Sequence, residues 1–60
     1  MHPLNNNLLN AIVSYKDCFY YIDKLYKTNG VYDGVVRIRS IEDGSITIRI
    51  MFKALTKVSN

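Results

Sequence analysis

Val35-Val36-Arg37-Ile38-Arg39-Ser40-Ile41-Glu42-Asp43-Gly44-Ser45-Ile46-Thr47-Ile48-Arg49-Ile50-Met51-Phe52 is the stretch that decides how this 60-residue chain is read. On each side of Glu42-Asp43-Gly44 runs a β-branched segment in which apolar and polar residues alternate, and a period of two marks a half-buried strand. A two-residue turn on Asp43-Gly44 would set Ile38 beside Arg49 and Arg39 beside Ile48. Opposed side chains in an antiparallel pair share a face, so that register mixes apolar and charged groups on both sides. A three-residue turn including Glu42 instead pairs Ile41 with Ser45, Ile38 with Ile48 and Val36 with Ile50. It also puts Gly44 at the left-handed position such a turn requires.

The three-residue turn therefore predicts one face made of Val36, Ile38, Ile46, Ile48, Ile50 and Phe52. The other face carries Arg37, Arg39, Thr47, Arg49 and Lys53, with Val35 and Met51 among them. Arg37 falls directly across from Arg49, and opposed like charges cost up to about 1 kcal/mol. Such a face invites an anion. Solvated charges that guard an exposed sheet against aggregation are the plainer alternative.

Upstream, Asn29-Gly30 sits between apolar-rich runs, a strong hairpin signal. A two-residue turn there pairs Thr28 with Val31, and extending that register puts Tyr21 by Ile38, Asp23 by Val36 and Leu25 by Gly34. Phe19, Tyr21 and Leu25 then join the apolar face, and Tyr20, Ile22, Lys24 and Tyr26 join the basic one. Asp23 is the misfit, a carboxylate on an apolar face; desolvation there would raise its pKa, and the favoured expectation is that it snorkels or bonds Tyr21, Tyr26 or a backbone amide. Gly34 inside the second strand signals a bulge or a close backbone approach.

Residues 4–15 read as a helix, with Leu4, Leu8, Ala11, Ile12 and Tyr15 at three- and four-residue spacings and Asn5, Asn6 and Asn7 as possible N-caps. The expected fold is thus α+β, an N-terminal helix packed on a three-stranded antiparallel β-meander of residues 18–28, 31–41 and 45–55. One alternative continues the helix through Cys18, Phe19, Ile22, Leu25 and Tyr26 and leaves only the later hairpin as sheet. In another, residues 54–58 either extend the third strand or make a short turn. Tyr32-Asp33-Gly34-Val35-Val36 through Glu42-Asp43-Gly44-Ser45-Ile46-Thr47 also resembles the central strands of SH3-like or Tudor-like small barrels. That resemblance implies two further strands, which the Asn-rich N-terminal region supplies poorly, and it carries no function over.

Sixty residues make one small domain and bury only about 60% of the extended-chain surface, so a staple or a partner is expected. Cys18 is the only cysteine; it forms no internal disulfide, fits a reducing cytoplasm and is read as a small core residue. No apolar run approaches the ~20 residues of a membrane span. The N-terminus lacks the basic start and apolar core of a secretory signal, which gives a cytoplasmic expectation. Net charge is +3, and all of the excess lies beyond Gly34, which argues for an anionic partner.

Catalysis finds no support: there is one histidine, no phosphate-cradling glycine loop and no paired carboxylates by spacing. No cofactor or metal is expected. The expected function is non-enzymatic nucleic-acid binding, to DNA or RNA, by a basic, tyrosine-containing sheet face. Its expected residues are Arg37, Arg39, Arg49, Lys53, Lys24, Tyr20 and Tyr26, since rings stack bases and cations meet phosphates. The alternative is a protein-interaction module, a small inhibitor, adaptor or assembly subunit that docks on an acidic protein surface or forms a homo-oligomer. The nucleic-acid face requires Arg37, Arg39 and Arg49 to project together without internal acidic partners.

Overall fold

A computed structural model describes residues 5–59. Among them there is no α-helix; five antiparallel strands form one sheet, with one short 3₁₀ turn, Asn6–Leu8, before the first strand and another, Phe52–Ala54, between the last two. The strands are β1 (Ile12–Tyr15), β2 (Cys18–Thr28), β3 (Val31–Ser40), β4 (Thr47–Met51) and β5 (Thr56–Ser59), in the spatial order β4-β3-β2-β1-β5. The expected helix start at Leu4 lies outside the described residues.

The order of the β2–β3–β4 meander is as the sequence predicts, and its turn at Asn29-Gly30 holds Thr28 opposite Val31. Both turn residues have positive φ, 53° and 80°, the conformation that matches the twist of a two-residue hairpin. Beyond that turn the expected register fails, since Ile22 and not Tyr21 pairs Ile38, Leu25 and not Asp23 pairs Val36, and β4 is shorter than the expected 45–55. Ile38 pairs Ile48, Val36 pairs Ile50 and Arg37 pairs Arg49 as expected.

Residues 11–17 correct the helix expectation, and with it the long-helix alternative. Lys16 and Asp17 adopt left-handed φ values of 50° and 66°, so Tyr15 opposes Cys18 in a tight hairpin. Ile12, Val13 and Tyr15 lose rotamer freedom in a helix and fit a pleated strand, and a short isolated helix is marginal in water. Of the residues with helical spacing, Leu8 and Ala11 still reach the core, and Val13, outside that set, is buried beside them.

The tail is corrected too, since Thr56–Ser59 neither extends β4 nor turns back, but pairs with β1. A flat sheet would hold β4 and β5 about 19 Å apart, four spacings of ~4.8 Å. The five steps from Met51 to Thr56 include a 3₁₀ turn, and at ~2.0 Å per turn residue they span only about 13 Å. The sheet must therefore curl on itself. The two strands beyond the expected meander, β1 and β5, come from residues 12–15 and 56–59. Inside the curl lie Leu8, Ala11, Val13, Ile22, Val36 and Ile38, ringed by partly buried residues such as Tyr20, Leu25, Ile48, Ile50 and Phe52.

Two irregularities in the β2–β3 ladder set which side chains face out. At the first, Leu25 pairs Val36 while Lys27 pairs Tyr32, leaving Asp33-Gly34-Val35 opposite Tyr26 alone. Gly34 takes φ +85° there with nothing within 4 Å of where a Cβ would sit, so its role is backbone conformation and not close approach. Asp33 clamps the bulge, accepting hydrogen bonds from the Val35 amide (3.0 Å) and the Thr28 hydroxyl (2.9 Å). Gly34→Ala is expected to lower the urea-unfolding stability by about 1 kcal/mol; an unchanged midpoint would show the position tolerates a side chain.

At the second irregularity Ile22 pairs Ile38 and Lys24 pairs Arg37, so Asp23 is an extra residue. One inserted residue exchanges the faces of everything before it. Ile22 is therefore fully buried and Tyr20 packs on the core, where the uninterrupted register placed both outside. Tyr21 is opposite Arg39, and Phe19 is 56% exposed; both were expected on the apolar face.

Candidate functional site

The outer face of β2–β4 brings Lys24, Tyr26, Arg37, Arg39 and Arg49 together. The bulge adds Asp23 to the same face. Its carboxylate accepts hydrogen bonds from Arg37 Nε at 2.8 Å and Arg39 Nε at 2.9 Å. The acid is the sheltered partner, with side-chain exposure of 12% against 35% and 31% for the arginines. Arg39 also donates a terminal N–H to the Gly44 carbonyl. Burial pushes the Asp23 carboxyl up, but the hydrogen bonds and charges of Arg37 and Arg39 outweigh it and hold the group below its ordinary value. The partners differ from those expected, since the two arginines and not Tyr21, Tyr26 or a backbone amide hold the carboxylate, and desolvation does not prevail.

Arg37 and Arg39 are thus tied by an internal acid, and the set of three unpartnered arginines expected from sequence is not what the fold presents. Arg49 remains exposed and stands over the Tyr26 ring at 4.9 Å, with Lys24 over the same ring at 5.0 Å. Lys53 lies exposed in the second 3₁₀ turn. Tyr20 belongs to the core side. Of the seven expected residues, Lys24, Tyr26 and Arg49 therefore form one tight cluster.

A different constellation lies at the end of the sheet, between the β1–β2 turn and loop 41–46. Gly44 does not take the left-handed conformation expected of it, because the β3–β4 connection is wider than three residues. Ser40 bonds across the loop, its amide donating to the Ile46 carbonyl at 3.0 Å. The loop is braced from within: Asp43 accepts from the Ser45 amide and hydroxyl, and the Ser40 hydroxyl accepts from the Asp43 amide. The Ile41 amide bonds the Phe19 carbonyl at 3.3 Å, tying loop to strand.

These bonds enclose an open groove of about 470 Å³. Phe19, Tyr20, Ile41 and Ile46 give it apolar walls, and Asp17, Glu42 and Asp43 stand on its rim. Phe19, Ile41 and Ile46 are 56%, 50% and 46% exposed. Ile46 was expected in the core, but it lies in the loop before β4 and is exposed. Cys18 also lines the groove and is exposed, not the core residue expected. Sequence patterning could not reveal this site, which joins a turn and a loop more than twenty positions apart. The hint available was Lys16-Asp17, since aspartate tolerates the left-handed turn conformation.

Both edge strands carry a cation, Arg49 in β4 and Lys57 in β5, a placement that discourages edge-to-edge pairing. Among the described residues no group of three or more His, Cys, Asp or Glu is placed to hold a metal, and no helix is long and apolar enough to cross a membrane. No protein-family model, curated protein or solved structure matches this chain.

Proposed function

We propose that this chain is a small non-enzymatic binding module that docks a segment of another protein in the groove beside Phe19. The observation that carries it is the exposure of Phe19, Ile41 and Ile46 around one braced groove. Contiguous apolar exposure on a small soluble domain is a feature of interaction sites, and a wall ordered by its own hydrogen bonds lowers the entropy lost on binding. The small core points the same way, because only six described apolar residues are buried and a domain of this size gains from a partner.

A second reading, nucleic acid on the outer face, has the Lys24–Tyr26–Arg49 cluster in its favour. Pairing with Asp23 weakens it by neutralising one positive charge and occupying two arginine donors.

A displayed library of random peptides selected on the purified protein separates the two. Enriched peptides are expected to bind with micromolar affinity and to lose at least tenfold on Phe19→Ser, which should fold normally because the ring is mostly exposed. Failure of any peptide to enrich would overturn the docking proposal. Retention on single-stranded DNA or RNA that weakens steeply with salt and vanishes on Arg49→Ala would then establish the second reading.

A further inference from the structure

We infer that the groove's occupant is a basic segment, an extended stretch of partner chain carrying lysine or arginine beside an apolar side chain. This rests on the groove being a docking site and adds the chemistry of what docks. The chain carries five acids and a net charge of +3. Asp23 is spent on Arg37 and Arg39, and Asp33 on Thr28 and the Val35 amide. The other three, Asp17, Glu42 and Asp43, all line the groove, and no lysine or arginine does.

Asp43 uses Oδ1 to brace its loop. Asp17 and Glu42 have no side-chain hydrogen bond or ion pair among the described residues. Both carboxylates without an internal partner among the described residues thus line the same groove, one from the β1–β2 turn and one from the loop after β3, in a chain that is otherwise cationic. Lys16, next to Asp17, is drawn to the Tyr15 ring at 5.5 Å instead. An incoming cation meets uncompensated negative charge and the exposed Phe19 ring, whose face attracts cations. Its apolar neighbour meets Ile41 and Ile46. An acidic segment would meet like charge from both the turn and the loop.

The test uses three peptides of equal length with the same alternating apolar residues, the intervening positions being lysine, serine or glutamate. Affinity is read by calorimetry, and occupancy of the groove by protection of Cys18 from iodoacetamide. The lysine peptide is expected to bind about tenfold or more tighter than the serine peptide and to protect Cys18, with the glutamate peptide weakest. The Asp17→Asn/Glu42→Gln double variant should abolish most of that preference while the serine peptide's affinity and the melting temperature hold.

Equal binding of all three, sensitive to Phe19→Ser, would overturn the charge inference and leave the docking site standing. Lysine-peptide binding that ignores the double variant would place the contact elsewhere and also overturn it. No Cys18 protection by any peptide would remove the docking site itself. Protection of Cys18 by raising the concentration of the protein alone, with growth in size, would make a second copy the occupant and overturn the inference.

Discussion

Ile22→Ala is expected to cost about 3 kcal/mol, while Tyr21→Thr costs about 1 kcal/mol or less. Ile22 is fully buried beside Ile38 on β3, so the alanine leaves a cavity in the most constrained part of the sheet. A 60-residue domain has only about 3–9 kcal/mol in hand, and each kcal/mol moves its melting temperature by roughly 4–8 °C. Ile22→Ala should therefore melt some 12–24 °C lower or fail to fold, and Tyr21→Thr should stay close to the parent. Circular dichroism on the two variants decides it. The reverse ranking would mean that β2 runs without the extra residue at Asp23 and that its side chains face the other way.

Asp23→Ala is expected to have the next largest effect. It removes the acid from between Arg37 and Arg39 and leaves Arg37 directly opposite Arg49. Breaking a fully buried ion pair costs about 3–5 kcal/mol, but both guanidiniums keep about a third of their exposure. Solvent screening brings the expected loss to about 1–2 kcal/mol, a fall in melting temperature of roughly 5–15 °C. Molar salt, with a screening length near 3 Å, should recover part of that loss and none of the loss from Ile22→Ala. A variant as stable as the parent at low salt would show that the carboxylate does not hold the arginines.

The same residue predicts a direction in pH. The folded carboxyl of Asp23 lies below its ordinary value, so the folded state holds its charge to lower pH than the unfolded chain, whose aspartates titrate near 3.9. Its contribution is therefore complete above that unfolded value and is lost as pH falls through the folded one. Asp33, held down by the Val35 amide and the Thr28 hydroxyl, and Asp43, held down by Ser45, act in the same sense. Urea midpoints should be flat from about pH 5 to 7 and drop below pH 4. The drop should be shallower in Asp23→Asn, and an identical acid slope in both proteins would remove Asp23 from the account.

How much of this was legible depends on how local the deciding physics is. The β3–β4 register could be read because Ile38, Ile48, Arg37 and Arg49 alternate strictly, so a wrong pairing would put charge against the core. Cys18-Phe19-Tyr20-Tyr21-Ile22 is apolar at every position, so alternation says nothing there and one inserted residue goes unseen. The arginines were correctly placed on one face, yet the acid that ties two of them arrives only through that insertion. The groove was illegible for a related reason: Asp17 and Glu42 carry no local signature, and Phe19, Ile41 and Ile46 look like core residues until the chain is folded.

By itself the sequence determined the hairpin at Asn29-Gly30, the pairing of Val36 and Ile38 with Ile50 and Ile48, and the clustering of cations away from the apolar side. Those features follow from turn chemistry and a period of two, which act over a few residues. Only the tertiary structure decided that residues 12–15 are a strand, that residues 56–59 close the far edge beside them, and that Asp23 faces the arginines. The far edge and the placement of Asp23 depend on partners distant in the chain, and for residues 12–15 the free energy of burying Ile22, Val13 and Ile38 together outweighs the local preferences that pointed elsewhere.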